Sequence, residues 1–396
     1  MIGLPPFLSF SENERILQLK TLMIILRTVK NISSLNIAAS VLLFLAAILA
    51  AVVANSSLSP VYQDFLLQEL HLRIGNFNLF SHGGHPLKMI EFINDCLMTV
   101  FFLAVGLEIK RELLVGELSS VRKAALPFIA ACGGMVVPVV IYALSVASGT
   151  PETRGMAIPM ATDIAFSLGV LSLLGKRVPL SLKIFLTAFA VVDDIGGILV
   201  IALFYSADVA YGYLIAAAVL YVFLYYMGKF GVTQKIFFLF FGVIIWYLFL
   251  QSGIHSTISG VILAFVIPAR PRLDAGKYIE RIRDIIGEFP VSKSDNIVLT
   301  NAQIATLKQV ERASDYVISP LQSLEDNLHG AVSFVILPLF AFANAGVVFS
   351  GSGSIVGDVS IAVAAGLLLG KFLGIYLFTW LAVKSGVALM PAGMNW

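Results

Sequence analysis

Four ionisable residues interrupt stretches that are otherwise apolar, and they are the residues of this sequence best suited to chemistry. Asp193 and Asp194 are adjacent, between two apolar runs. Asp163 follows Thr162 in an earlier run, and Lys371 is the one charged residue of a later run. Carboxylate oxygens bind protons or hard cations, whereas transition metals favour the sulfur and imidazole ligands that these runs do not cluster. The pattern therefore predicts a site for protons and a hard cation.

The composition shows what must surround these charges. Of 396 residues, 58% are hydrophobic and 13% are charged, against roughly 25% charged residues in an ordinary soluble domain. Asp, Glu, Lys and Arg are absent from the segments 31–63, 209–228, 236–269 and 327–357. Since a helix crosses the hydrocarbon core in about 20 residues, the chain is predicted to be an all-α polytopic membrane protein. The net charge of +2 gives no sign of a nucleic-acid partner.

Apolar runs and their breakers predict about ten transmembrane helices, with the amino terminus in the cytoplasm. In this topology, 22 of the 26 basic residues fall in cytoplasmic segments and three in external ones, as the positive-inside rule requires. The predicted spans lie near residues 36–55, 89–113, 124–148, 155–176, 180–205, 210–228, 234–250, 253–268, 327–349 and 360–384.

The spans divide the chain into four parts. A cytoplasmic amino-terminal segment, 1–34, precedes membrane helices one to eight in 35–268. A cytoplasmic insertion, 269–326, separates these from helices nine and ten and a short tail in 327–396. Alternating apolar residues around a Gly-Asn turn predict a small external β-hairpin at 70–80. Within the insertion, isoleucines at helical spacing predict an amphipathic helix, although a solvated linker is also compatible: Ile279, Ile282, Ile285 and Ile286.

The cost of charge inside a bilayer predicts that the four ionisable residues meet. Each Asp or Lys near the bilayer centre costs roughly 2.5–3.5 kcal/mol, so four in lipid would cost about 10 kcal/mol. They must therefore face one another or a wet cavity, and Lys371 is the natural countercharge for the Asp193–Asp194 pair. A pair that only locks two helices together is the structural alternative. Pro159 predicts a break in the fourth span, and such breaks can help to bind ions.

Carboxylates that can hold either a cation or protons suit an exchanger. At these residues the sequence resembles the NhaA-type sodium/proton antiporter family of bacterial inner membranes, from about residue 35 to 392 apart from 269–320. The resemblance is carried by the following stretches: ATDIAF at 161–166, LGV at 168–170, RVPL at 177–180, DDIG at 193–196, LPLFAFANAG at 337–346 and GLLLGK at 366–371.

The resemblance implies a function and a fold. It implies electrogenic, pH-regulated exchange of Na⁺ or Li⁺ for H⁺ across the inner membrane, serving sodium and pH homeostasis, by a transporter that is not an enzyme and needs no cofactor. It implies an inverted-repeat fold with a discontinuous fourth helix, and a homodimer formed through the external hairpin. Asp193 and Asp194 would bind Na⁺ and protons, Lys371 would form a salt bridge with Asp193, and Thr162 and Asp163 would lie near the site.

Six further residues are implied in the response to pH or in the cytoplasmic funnel. Glu108, Arg111 and Glu112 belong to VGLEIKREL at 105–113, which resembles the cytoplasmic pH-sensing end of the second helix. Asp95 resembles a residue of the cytoplasmic funnel region. His255, in SGIH at 252–255, and Glu325, in LEDNLH at 324–329, match other positions linked to pH.

One departure from the family pattern and several alternatives accompany this interpretation. The family has twelve spans, so we expect the last two to be missing here and transport by this chain alone to be impaired. A sodium-coupled organic-anion symporter of similar fold would need more basic or hydroxyl groups inside the membrane. An intramembrane aspartyl protease would need glycines that do not precede Asp193, and an inactive structural membrane protein is the last alternative.

Overall fold

The computed structural model describes residues 38–75, 77–116, 118–146, 150–160, 178–204, 209–270, 275–287, 300–349 and 357–390. Within these ranges the chain is mainly helical, and six helices are long and apolar enough to cross a membrane. The predicted site residues Thr162 and Asp163 lie outside the described residues.

The helices are numbered here in chain order. They are α1 (Ala38–Ala54), α2 (Ser59–Leu67), α3 (Met89–Val115), α4 (Val121–Ser145), α5 (Leu180–Phe204), α6 (Tyr211–Lys229), α7 (Lys235–Ser252), α8 (Thr257–Val266), α9 (Ala275–Gly287), α10 (Asn301–Val317), α11 (Pro320–Asn344) and α12 (Asp358–Lys384). A 3₁₀ helix, Pro151–Met160, follows α4. Helices α1 and α2 meet at a bend of 113°.

Nine of the ten predicted spans coincide with a described helix, although the eighth is the ten-residue helix α8. The fourth span, 155–176, is described only as far as Met160. Helix α11 begins at Pro320, inside the segment predicted as an insertion. Its start is explained by Ser319, whose hydroxyl accepts a hydrogen bond from the Gln322 amide at 3.2 Å, and by proline in the first turn, both typical of helix starts.

The segment before α3 contains two short β-hairpins. Strands β1 (Arg73–Ile74) and β2 (Phe77–Asn78) form the hairpin predicted around the Gly-Asn turn. Strands β3 (Ser81–His82) and β4 (His85–Pro86) form a second one that the sequence analysis did not predict. Gly83 and Gly84 both adopt positive φ, at 57° and 85°, which a two-residue turn between twisted strands requires.

The two largest clusters of buried apolar residues in the described chain pack seven of the helices together. The first lies among α3, α6, α7, α8 and the start of α11, and its buried residues include Leu107, Leu224, Phe238, Ile245, Ala264 and Leu321. The second lies among α3, α4 and α5, and includes Val105, Ile109, Ala130, Ala131 and Val191. Helix α3 contributes to both cores and therefore links the two groups of helices.

Helices α4 and α12 approach each other backbone to backbone. A Cβ placed on Gly374 of α12 would overlap the carbonyl group of Gly133 of α4, and one placed on Gly370 would lie 2.7 Å from the Cα of Pro138. Gly370 and Gly374 are one turn apart and share a helix face. The absence of side chains on this face is what allows α12 to reach α4 so closely.

Gly374→Ala is expected to destabilise the protein, because the new methyl group has no space at this contact. Overpacking of this kind costs typically about 1–3 kcal/mol, so the midpoint of thermal unfolding in detergent should fall by several degrees. Gly330→Ala is the matched control, since no atom of the described residues, apart from its chain neighbours and its own helix backbone, lies within 4 Å of a Cβ there. It should be neutral or stabilise α11 by up to about 1 kcal/mol. Equal midpoints for the two variants would contradict the contact.

Candidate ion-binding site

Lys371 of α12 and Asp193 of α5 form an ion pair inside the protein. The Lys371 Nζ donates a hydrogen bond to the Asp193 Oδ2 at 2.8 Å. The Lys371 side chain is 13% exposed and the Asp193 side chain is 2% exposed. Removing two charges from water costs about as much as their attraction returns, whereas one such charge without its partner is strongly destabilising. The pair is therefore a constraint that binds α5 to α12.

The helix around Asp193 explains why the carboxylate is so well shielded. The five residues that precede it, 188–192, are all buried and pack in the core shared by α3, α4 and α5. Asp194 lies on the same turn and is half-buried. Adjacent helix positions point about 100° apart, so the two carboxylates leave the helix in different directions.

The close contact between α4 and α12 places Lys371 within reach of α5. Lys371 directly follows Gly370, and the preceding turn, Gly366–Gly370, is π-helical, an irregularity frequent at functional sites. At the level of Gly134, helix α4 is thin enough to lie between α12 and α5: a Cβ there would be 3.1 Å from Ile375 of α12 and 3.6 Å from Phe189 of α5. The ammonium group can therefore pass α4 and meet the Asp193 carboxylate.

The 3₁₀ helix, Pro151–Met160, also lies against α12 close to Lys371. Pro159 and Met160 are buried, and a Cβ on Gly366 of α12 would lie 2.7 Å from the Cβ of Pro159. The described chain thus reaches α12 one turn before Lys371. Because Thr162 and Asp163 lie outside the described residues, their predicted contribution to the site remains a prediction.

Four of the predicted pH-related residues meet at one end of α3. The Arg111 Nη1 lies 2.9 Å from the Glu325 Oε1 of α11, and the Arg111 Nη2 lies 3.5 Å from the Glu112 Oε1. Glu108 lies one turn before Glu112. It interacts electrostatically with Arg111, Glu112 and His329. Three carboxylates therefore surround one guanidinium group where α3 and α11 meet; we call this the Arg111 cluster.

Asp95 and His255 lie apart from the Arg111 cluster, and the assignment of Asp95 to the cytoplasmic funnel region stays a prediction. At 1.5 Å per residue, Asp95 is about 20 Å along α3 from Glu108. Its carboxylate accepts a hydrogen bond from the Ser256 hydroxyl at 3.2 Å, and its carbonyl accepts one from the Trp246 indole at 3.3 Å. His255 is exposed beside Ser256 and interacts electrostatically with Asp95. The length of α3 separates this group from the Arg111 cluster.

Sequence reasoning missed two polar contacts that fix helices around the site. The Lys110 ammonium donates to the carbonyls of Ala264, Phe265 and Ile267, which are left without partners at the end of α8. A cation at this end also suits the helix dipole. In the second contact, the side-chain amides of Asn94 and Asn344 donate to each other's oxygens, at 3.1 and 2.8 Å. The signal for the second contact was a pair of amide side chains, Asn94 and Asn344, within mainly apolar runs.

The geometry has a direct chemical consequence. The carboxylates of Asp193 and Asp194 can accept a proton or coordinate a hard cation through oxygen. The Lys371 ammonium occupies one oxygen of Asp193 and thus competes with any other cation there. A cation that binds Asp193 through Oδ2 must therefore displace the Lys371 ammonium from that oxygen.

The comparisons with known proteins agree on one family. The sequence profile of the Na⁺/H⁺ antiporter 1 family matches residues 30–396. A Bacteroides thetaiotaomicron protein named Na⁺/H⁺ antiporter NhaA is 75% identical over 94% of this chain and 85% of its own length. A Bacteroides fragilis protein of the same name is 75% identical over 94% of this chain and 86% of its own. One from Phocaeicola vulgatus is 61% identical over 88% and 78%.

Lys371→Met is expected to destabilise the protein by roughly 3–5 kcal/mol, because it removes the cation that faces a buried carboxylate. Asp193→Asn should also destabilise, but the double variant should lose much less than the sum of the two single losses. Thermal unfolding of the four proteins in the same detergent completes the cycle. Strictly additive losses would show that the two side chains do not act as a pair.

Proposed function

Because the chain belongs to the Na⁺/H⁺ antiporter 1 family, we propose that it exchanges Na⁺ or Li⁺ for protons across the bacterial inner membrane. The names of its relatives and its membrane-length helices support this function. The observation that carries the proposal is the buried Asp193–Lys371 pair with Asp194 beside it. We place the amino terminus in the cytoplasm, from the distribution of basic residues.

The exchange follows from competition at one acidic site. Asp193 and Asp194, when both are ionised, offer oxygens to one Na⁺ ion, and the incoming ion replaces the Lys371 ammonium on Asp193. Protonation of the carboxylates on the other side of the membrane releases the ion. Thr162 and Asp163 would add oxygen ligands from the break predicted after Pro159. A site occupied by either the cation or protons, never both, couples the two fluxes.

The charge balance of this cycle predicts an electrogenic exchanger. If the site gives up two protons for each monovalent cation, one net charge crosses the membrane per cycle. A charge moved through 100 mV gains or loses about 2.3 kcal/mol, so the membrane potential could drive the exchange. The proposal is supported by the two adjacent carboxylates, which provide two proton-accepting groups.

We further propose that the Arg111 cluster makes the exchange sensitive to pH. Its carboxylates share a single guanidinium group, so protonation of any of them changes how Arg111 is shared between α3 and α11. Helix α3 also packs against α5 in the core next to Asp193, which gives a physical route from the cluster to the site. His255 and Asp95 would form a second sensitive group at the other end of α3.

We propose a homodimer formed through the hairpin of β1 and β2. Two short strands are marginal alone in water, and Leu72, Arg73 and Gly75 are exposed there. Strand pairing with a second copy would give the edge groups of the hairpin their hydrogen-bond partners.

Replacing both Asp193 and Asp194 by Asn should abolish Na⁺-dependent proton movement, because no ionised carboxylate would remain in α5 to bind either ion. The measurement is the dequenching of a pH-sensitive dye in everted vesicles on addition of Na⁺ or Li⁺, at matched protein levels. Asp64→Asn, at an exposed position of α2, is the control and should behave like the parent. Retained exchange in the double variant would disprove the proposed site.

Glu325→Gln should shift the pH at which transport is half-maximal, with little change in the maximal rate. The substitution removes a charge from the Arg111 cluster but leaves Asp193 and Lys371 intact. Asp64→Asn, at an exposed position of α2, is the control and should leave the pH profile unchanged. The two pH profiles should be compared in the same vesicles; equal shifts, or none in either variant, would exclude the cluster as the pH-sensitive group.

A further inference from the structure

Helix α9 carries an apolar stripe that the rest of the described chain leaves partly uncovered. Ile279 is 59% exposed and Ile286 is 58% exposed, whereas Ile282 and Ile285 are half-buried. Helix α10 packs alongside α9. Two large aliphatic side chains on one face of a short, otherwise polar helix are unusual in contact with water, and they indicate an interaction surface.

Four of the five charged residues of α9 are sorted around this stripe. At about 100° per residue, Arg281 and Arg283 border it, one on each side, and both are exposed. The acidic residues Glu280 and Asp284 project from the opposite face. A helix with apolar residues in the middle, basic residues on both flanks and acidic residues farthest away has the charge pattern of a helix that lies in a membrane interface.

The connections on either side of α9 and α10 hold both helices near the membrane. Helix α9 begins nine residues after the end of α8, which an extended chain spans in about 30 Å at most. Helix α10 ends three residues before α11, which is one of the membrane-length helices. The two attachment points are adjacent, since the Leu321 amide donates to the Pro268 carbonyl at 3.3 Å. The helix pair therefore cannot move far from the end of the bundle.

We propose that α9 lies on the bilayer surface and binds anionic phospholipid. Arg281 and Arg283 contact the lipid phosphate groups, while Ile279 and Ile286 insert among the upper parts of the acyl chains. The occupant is a lipid surface because basic flanks complement its negative charge and because the tethers bring the helix to it. This binding surface is separate from the ion site, and its test does not require transport.

The test uses the whole 396-residue chain, reconstituted as one copy per nanodisc. An environment-sensitive fluorophore is attached to a single cysteine at Ile286→Cys in a Cys96→Ala, Cys132→Ala background. In discs that contain phosphatidylglycerol, we expect blue-shifted emission, quenching by lipid-attached nitroxide and protection from acrylamide. A label at Asp284→Cys, on the opposite face, should stay accessible to acrylamide in the same discs.

The second part of the experiment replaces the two arginines in the labelled protein. Each basic residue near an anionic surface contributes about 1 kcal/mol, which corresponds to about a fivefold change in the ratio of inserted to free helix. Arg281→Gln and Arg283→Gln together should thus release the label into water, as should salt near 1 M, where the screening length is about 3 Å. The control pair Glu280→Gln and Asp284→Asn removes two charges from the other face and should leave the label inserted.

Two results would overturn the proposal. The first is a label at position 286 that remains accessible to acrylamide in both anionic discs and discs of phosphatidylcholine alone. The second is protection that is equal in both lipids and unaffected by the arginine substitutions, which would mean that protein covers the stripe. Neither outcome bears on Na⁺/H⁺ exchange, which is measured separately in vesicles.

Discussion

A charge buried among apolar helices requires an opposite charge beside it. The structure is organised around one such ion pair, formed by Asp193 and Lys371. The Asp193 side chain is almost completely buried, and Lys371 reaches it from a helix 178 positions away in sequence. The glycines of α12 and α4 serve this contact, because any larger side chain would push α12 outward. The pair thus explains both the packing of three helices and the chemistry that the site can perform: each charge tolerates its position only while the other, or a substitute for it, is present.

Much of this could be predicted from the sequence, since the cost of burying charge is a general rule. The rule selected Asp193, Asp194 and Lys371 from 396 residues before any coordinates were considered, and apolar runs located most of the helices. Local patterns could not predict contacts between distant segments. The Lys110 cap on α8, the Asn94–Asn344 amide pair and the π-helical turn before Lys371 depend on which helices are neighbours.

Some of what was missed did have a local signal. Ser319 followed by Pro320 is typical of the start of a helix, and Gly83-Gly84 of a tight turn, but both lie between predicted spans, where neither element is predicted. Helix α10 was missed because its segment was treated as part of a polar insertion. By contrast, the isoleucine spacing in the same insertion predicted α9. Short elements between membrane helices are therefore best sought by their caps and turns, because their apolar residues are few.

The direct contact between α4 and α12 also decides how water can approach the buried carboxylate. Where two backbones touch, as at Gly133 with Gly374 and at Pro138 with Gly370, there is no room for a file of hydrating molecules. This seam runs along both helices beside Lys371 and closes one side of the site. An aqueous path to the Asp193 carboxylate therefore cannot run between α4 and α12 at this level.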